Sequence, residues 1–294
     1  MKIAIAGYGN LGKSVEKLAK VDAEVELSAI ISRRKIDNPL YVATENIDKV
    51  KADVMLLCLG SYADLQQNLP EFARFDTIDT FDDHQNMCKY LDFCNKVKPN
   101  TLSVVGAGWD PGIMSAVRGW LAACGLAPVT IWGKGQSLGH SNAIRALEGV
   151  IDAVQFTCPK PNAEALAAHG ERRAEKLHDR VCYVSCRQGC EEQIRQQILG
   201  MPHYFDGYDV QVIFTSANEV AKLKTDRAHC GQIVAKSDRA EVKFRIKMPS
   251  NSDLTAQIML NFAKKIPNIK KQGIFGAKTL FDLPLHMFAG DGLY

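Results

Sequence analysis

Lys2-Ile3-Ala4-Ile5-Ala6 is a short apolar run that passes into Gly7-Tyr8-Gly9-Asn10-Leu11-Gly12, after which Val15, Leu18 and Ala19 recur at helical spacing. A run of this length ended by glycine predicts a buried strand, and the spacing after it predicts an amphipathic helix. The pattern then repeats. Residues 25–32 and 52–61 read as strands, 65–75 as helical, 77–80 as a short strand, the stretch to about 98 as a helix and 101–105 as a fifth strand. Strands alternating with helices describe a doubly wound parallel sheet.

Beyond Gly112 the rhythm changes. A helix to about residue 124 is followed by a strand at 129–132, a Gly- and Ser-rich loop at 133–141 and a helix at 142–147. Strand-like runs at 154–158, 181–186, 208–215 and 240–248 alternate as in a sheet with one covered face, so a second domain on a mixed or antiparallel sheet is expected. The charged run 171–176 reads as a solvated helix face. A helix at about 252–265 and a Gly-rich tail at 273–294 are expected to return to the first domain. The predicted organisation is an α/β chain: a Rossmann-type dinucleotide-binding domain over 1–112, an α+β mixed-sheet substrate and dimerisation domain over 113–251, and a C-terminal segment over 252–294.

Composition narrows the class. The 294 residues are 46% hydrophobic and 23% charged, with a net charge of +3 and no concentrated basic block, so neither nucleic acid nor a membrane surface is indicated as a partner. No apolar run approaches a bilayer span and no leader pattern precedes the first strand, which predicts a cytoplasmic protein. The nine cysteines are mostly embedded in apolar segments and read as reduced thiols. Cys182, Cys186 and Cys190 lack the paired Cys-x2-Cys knuckles of zinc sites, and no metal is expected.

The glycine motif carries the first chemistry. In Gly-x-Gly-x-x-Gly after a strand, Gly7 permits the turn, Gly9 admits a pyrophosphate to the backbone and Gly12 lets the helix pack closely on the sheet. The alternative is an ordinary strand-to-helix turn. An NAD site places a carboxylate at the end of the second strand, whereas here the chain reads Ser32-Arg33-Arg34-Lys35. Guanidinium groups suit a 2′-phosphate, so NADP is the predicted cofactor. Cys58, Leu59, Gly60 and Ser61, at the end of the third strand, should lie beside it.

Two further strand ends carry carboxylates, in Phe81-Asp82-Asp83-His84 and in Gly108-Trp109-Asp110-Pro111-Gly112. Asp110 alone fits a helix cap before Pro at the first helical position equally well. Together, Asp82 and Asp110 point to a site for a cation such as a substrate ammonium.

These residues, with Trp132-Gly133, Gly139-His140-Ser141 and Met201-Pro202-His203-Tyr204-Phe205, make the chain resemble the meso-diaminopimelate D-dehydrogenases over nearly its whole length. The resemblance implies NADP-dependent reversible oxidative deamination of the D-centre of meso-diaminopimelate, in lysine biosynthesis, by a homodimer. It implies that Asp82 and Asp110 hold the D-centre amino group and that one of them takes its proton, with Trp109 and Trp132 shaping the pocket. Backbone donors at Leu138 and Gly139 would take the nearby carboxylate, Leu138 standing where relatives carry Gln. Thr157, Arg180, His229 and Asn251 would grip the L-centre. For the cofactor it adds Tyr8, Asn10, Leu11, Thr80, Asp82, Asp83 and His84. An imine reductase of the dihydrodipicolinate-reductase type is the rival enzyme reading, against which the acidic pair argues. An NADP(H)-sensing non-enzyme is the other.

Overall fold

The computed structural model describes residues 1–60, 64–202 and 204–288. In chain order the elements are β1 (Lys2–Ala6), α1 (Asn10–Ala19), β2 (Glu26–Ser32), β3 (Tyr41–Ala43), β4 (Val54–Leu57), α2 (Asp64–Asn68), β5 (Asp76–Asp79), α3 (Met87–Val97), β6 (Leu102–Val104) and α4 (Ile113–Ala123). They continue as β7 (Val129–Trp132), β8 (Gly135–Gln136), α5 (Leu138–Arg145), β9 (Val150–Pro159), α6 (Ala163–Ala168), α7 (Ala174–Leu177), β10 (His178–Cys186) and α8 (Glu191–Leu199). The chain closes with β11 (Asp209–Phe214), α9 (Ala217–Leu223), β12 (His229–Lys236), β13 (Glu241–Met248), α10 (Asn251–Lys271) and β14 (Gly276–Lys278). Two compact units result: Met1–Gly119 with the segment from Ser252 onward, and Trp120–Asn251.

The first unit is an α/β fold around a sheet of order β14-β6-β5-β4-β1-β2-β3 in which every neighbouring pair is parallel. The apolar strand residues divide by alternation between two covered faces. Ile3, Ile5, Ile30, Val54, Leu56 and Val104 share a core with α1 and α10, while Ala4, Ala6, Ile31, Met55 and Leu57 share one with Phe72, Phe75, Tyr90 and Cys94. Strand order reverses at β1, between β2 and β4, and a crevice for ligands opens at such a point beyond the carboxyl ends of the strands. The loop there needs its glycines. Gly7 has φ +94°, and a Cβ on Gly12 would stand 2.2 Å from the Gly7 carbonyl oxygen.

α10 outruns the sequence expectation. Pro267 suggests an end near residue 265, yet the helix continues to Lys271 because Ile266 and Ile269 are both buried in the core on its inner side, with Pro267 itself exposed. Packing of that apolar stripe outweighs one missing backbone hydrogen bond. The short edge strands β3 and β14 are too brief for a periodic signal, and β14 lies in what reads from sequence as a glycine-rich tail.

The second unit holds two sheets where the hydropathy pattern suggests one. The first, β11-β10-β9-β8, is mixed, with β10 parallel to β11 and antiparallel to β9. The second, β13-β12-β7, is antiparallel. β12 escapes the sequence reading because Gly231 and Gln232 interrupt its apolar alternation. α5 begins at Leu138 rather than Asn142, so residues 138–141 form its first turn instead of a loop.

Replacing Pro267 with Ala restores an amide donor at an exposed mid-helix position. The variant is expected to be more stable by about 1–3 kcal/mol. Differential scanning calorimetry checks this: a melting temperature equal to or below the parent's refutes the account of α10.

Candidate active site

Within the first unit, the predicted cofactor residues occupy the carboxyl ends of four parallel strands. Gly7 to Gly12 follow β1, Ser32 closes β2 ahead of Arg33 and Arg34, Cys58 to Gly60 follow β4, and Thr80 to His84 follow β5. Ser61 falls outside the described residues, as does His203. A Cβ built on Gly9 meets nothing within 4 Å, so the backbone is open there. The first turn of α1 has no acidic residue, which leaves its N-terminal amides free to favour an anion. Tyr8 donates its hydroxyl to Glu16, a carboxylate that also accepts from Asn38 at 2.8 Å, and this ties the glycine loop to the segment after β2. Arg33 is exposed and meets Asp64 at 3.0 Å. The loop, the helix end and the basic turn together suit a phosphorylated dinucleotide.

Asp83 caps the short turn His84–Asn86, accepting from the Gln85 and Asn86 amides at 3.1 and 3.3 Å. Its carboxylate is engaged by its own loop.

The loops bearing Asp82 and Asp110 are joined by Asp79, at the end of β5 and only 1% exposed. One carboxylate oxygen accepts the Phe81 amide at 2.9 Å and the Gly106 amide at 3.1 Å, and the other accepts the Tyr90 hydroxyl at 3.0 Å. The Ala107 amide adds a bond to the Asp79 carbonyl at 2.8 Å. Burial raises the Asp79 carboxyl to about 6, and the two backbone donors act against it. At neutral pH it is therefore an acceptor for all three groups.

The Asp110 side chain is 1% exposed and receives Arg118 at 2.7 Å, with His84 Nε2 at 3.8 Å. α4 begins three residues later, at Ile113, so Asp110 is not its N-cap and Pro111 is not its first residue. A buried carboxylate meeting a guanidinium and an imidazole is a charged site. Arg118 also donates to Ser115 Oγ at 2.7 Å. Asp82, on the loop after β5, is exposed, and Trp109 is half-buried.

In the second unit, strand register collects the remaining residues. Gly135 of β8 pairs with Thr157, Thr157 pairs with Arg180, and Gly231 of β12 pairs with Trp132. Arg180 donates through Nη1 to Thr157 Oγ1, and its guanidinium lies 4.1 Å over the Tyr208 ring. Among the described residues Arg180 forms no ion pair. His229 sets Nε2 3.1 Å from the Gln136 carbonyl and Nδ1 2.9 Å from the Arg227 carbonyl, which also accepts the Asn251 amide at 3.3 Å. Leu138 and Gly139 contribute first-turn amides of α5, where a helix leaves donors without internal partners.

His178 is fully buried and holds Trp132: its Nε2 accepts the Trp132 amide at 2.9 Å while Nδ1–H donates to the Ala174 carbonyl at 2.8 Å. These partners fix the neutral tautomer, and burial lowers its affinity for a second proton.

Residues 108–250 match the family profile described as Diaminopimelic acid dehydrogenase C-terminal domain. The meso-diaminopimelate D-dehydrogenase of Acetivibrio thermocellus is 36% identical, with 97% of this chain and 92% of the relative aligned. That of Corynebacterium glutamicum is 34% identical over 100% and 97%. The chain belongs to the meso-diaminopimelate D-dehydrogenase family. The C. glutamicum DAP dehydrogenase solved in complex with DAP superposes with a TM-score of 0.92 at 33% identity, covering 100% of this chain and 97% of that one. An engineered D-amino acid dehydrogenase bound to NADP+ superposes at 0.87 with 32% identity, again over 100% and 97%. Among the described residues of this meso-diaminopimelate D-dehydrogenase family member, no cluster of three His, Cys, Asp or Glu side chains could hold a metal, and no helix is long and apolar enough to cross a membrane.

Sequence reasoning misses Asp79, Arg118 and His178 as supports of the site. Two left a signal: Asp79 is a carboxylate in a strand buried at all four positions, and Arg118 is the sole charge on α4. His178 left none, because its partner is 46 residues away.

Asp79→Ala orphans three buried donors. It is expected to lower stability on the order of 3–5 kcal/mol and catalytic efficiency at least about tenfold; unchanged melting and turnover would contradict the tether. Acid tests the second unit. Burial, reinforced by the Arg180 charge, pushes His140 down to about 4 from 6.5. The folded state thus keeps the ring neutral while the unfolded chain binds a proton, so stability is complete above about pH 6.5 and is lost as pH falls towards 4. His140→Gln should flatten the urea midpoint across that window by up to about 3 kcal/mol; an identical pH profile in both proteins argues otherwise.

Proposed function

We propose that this chain catalyses NADP-dependent, reversible oxidative deamination of the D-centre of meso-2,6-diaminopimelate, giving L-2-amino-6-oxopimelate, which cyclises to tetrahydrodipicolinate, and ammonia. The setting is lysine biosynthesis in the cytoplasm. Family membership supports the reaction, and the observation that carries the substrate assignment is Arg180: a half-buried guanidinium that has no carboxylate partner among the described residues and sits beside a hydroxyl. Burial disfavours its charge, which a substrate carboxylate bound at the fork offsets.

The substrate has an ammonium and a carboxylate at each end, and the chain offers matching groups. Asp110 and Asp82 bind the D-centre ammonium. Asp110 is fixed by Arg118, while Asp82 is solvent-exposed, which supports its reading as the carboxylate that passes a proton on to water. The α5 first-turn amides at Leu138 and Gly139 bind the adjacent carboxylate, an arrangement that tolerates Leu at 138 because the donors are backbone. Arg180, Thr157, His229 and Asn251 bind the L-centre, and Trp109 and Trp132 exclude water from the reacting carbon. NADP+, when bound by the glycine loop and the Ser32–Arg34 turn, supplies the hydride acceptor. Holding both ends of a near-symmetric substrate leaves one stereocentre to meet it.

A homodimer is part of the reading. Among the described residues β13 pairs with β12 alone, and along it exposed Glu241, Lys243, Arg245 and Lys247 alternate with half-buried Val242, Phe244 and Ile246.

NADP+ reduction with meso-, LL- and DD-diaminopimelate, and NAD+ as the alternative cofactor, tests the assignment. Activity is expected with the meso isomer and NADP+. Arg180→Met should raise KM for that isomer roughly 10- to 100-fold with NADPH binding retained. No turnover with any isomer, despite NADPH binding, would overturn the proposal.

A further inference from the structure

Gln155 lies in the middle of β9 with its side chain fully buried, and neither its carboxamide oxygen nor its nitrogen has a hydrogen-bond partner. Arg180 Nε, also buried, is the remaining unpartnered side-chain atom of this kind among the described residues. Buried polar groups left unmatched are rare because each costs the hydration it gave up. An acceptor and a donor in this condition on neighbouring strands call for one explanation.

The register supplies it. On the antiparallel pair β9–β10, Thr157 faces Arg180 and Gln155 faces Cys182. Side chains two apart on a strand, and those directly opposite across a pair, leave the same face of the sheet. Gln155 and Arg180 are therefore diagonal neighbours on one face, their backbones about 7–8 Å apart across the strand pair and within reach of two long side chains. The Gln155 backbone is already anchored: its amide donates to Ser141 Oγ at 2.9 Å and its carbonyl accepts the Ser137 amide at 2.9 Å. His140, which feels the Arg180 charge, has both ring nitrogens engaged, with Ser137 Oγ and the Tyr204 carbonyl. It does not compete for Nε.

We propose that Gln155 is a positioning residue for Arg180, its carboxamide oxygen taking the Nε–H through one buried water. This rests on the reading of Arg180 as the group that binds the distal substrate carboxylate. Thr157 holds Nη1, the Tyr208 ring supports the guanidinium plane, and Gln155 fixes the Nε edge. Three contacts leave the fork no freedom to rotate. The ordering of a flexible cation is then completed in folding rather than at substrate binding.

The test uses Gln155→Leu, Arg180→Met and their combination in the full chain, with Gln155→Glu as a second variant that keeps an acceptor of the same size. In Gln155→Leu, KM for meso-diaminopimelate is expected to rise about 5- to 20-fold, with kcat within about threefold and NADPH binding unchanged. The melting temperature should fall, because Nε is left orphaned, and the Arg180 Nε–H resonance in 15N-arginine spectra should lose its protection from solvent exchange. In Gln155→Glu that protection should persist. Adding Gln155→Leu to Arg180→Met should leave KM where Arg180→Met set it. A melting temperature that rises in Gln155→Leu, an unchanged resonance, or the same fold-change in both backgrounds would overturn the proposal. Were Arg180→Met itself to leave KM unchanged, the substrate assignment would fail, while the resonance and melting readouts would still judge the link between the two side chains.

Discussion

Three donors converge on the Asp79 carboxylate, and two of them are backbone amides from different loops. A buried carboxylate must be met by donors or lose its charge, so the chain around it has little choice of path. The loop after β5 and the loop after β6 are held in one arrangement, and these are the loops that bear Asp82 and Asp110. The sheet brings the loops to the same edge; the buried charge sets how they leave it. Asp110 repeats the principle at smaller scale, since its sequestered carboxylate is matched by Arg118 from the helix that follows.

The second unit solves the corresponding problem with cations and imidazoles. His178 spends its Nε2 lone pair on the Trp132 amide and its proton on a carbonyl, so an aromatic wall is fixed by a side chain from another strand. Arg180 is held by a hydroxyl and a ring rather than by a carboxylate, which keeps its charge available to an anion. The two units thus differ in chemistry: the first holds acidic side chains at its strand ends, the second a guanidinium and helix-end amides.

Much of this was legible from residues alone. Gly7 and Gly12 marked a tight strand-to-helix turn because a side chain does not fit the backbone at either position, as the contact of a Gly12 Cβ with the Gly7 carbonyl illustrates. Ser32-Arg33-Arg34 carried the cofactor reading through the absence of a carboxylate, and the solved relative bound to NADP+ agrees with it. The parallel strands announced themselves as uninterrupted apolar runs because both faces of the sheet are covered. Short edge strands did not, since three residues cannot display a period, and β12 was hidden by Gly231 and Gln232.

The sequence by itself determined the fold class, the glycine turn after β1 and the charged side chains on offer at the strand ends, because these follow from local pattern and from chemistry that only certain side chains possess. Tertiary structure decided which of those groups are held and by what. Asp79 and His178 act through partners 27 and 46 residues away in the chain, and a register difference of one residue in their strands would turn these side chains to the opposite face. It also decided that residues 138–141 are helix, and that Pro267 lies inside one, since burial of the apolar stripe of α10 outweighs local propensity. Periodicity tells a segment what it can be; only the neighbours it packs against settle what its polar atoms must do.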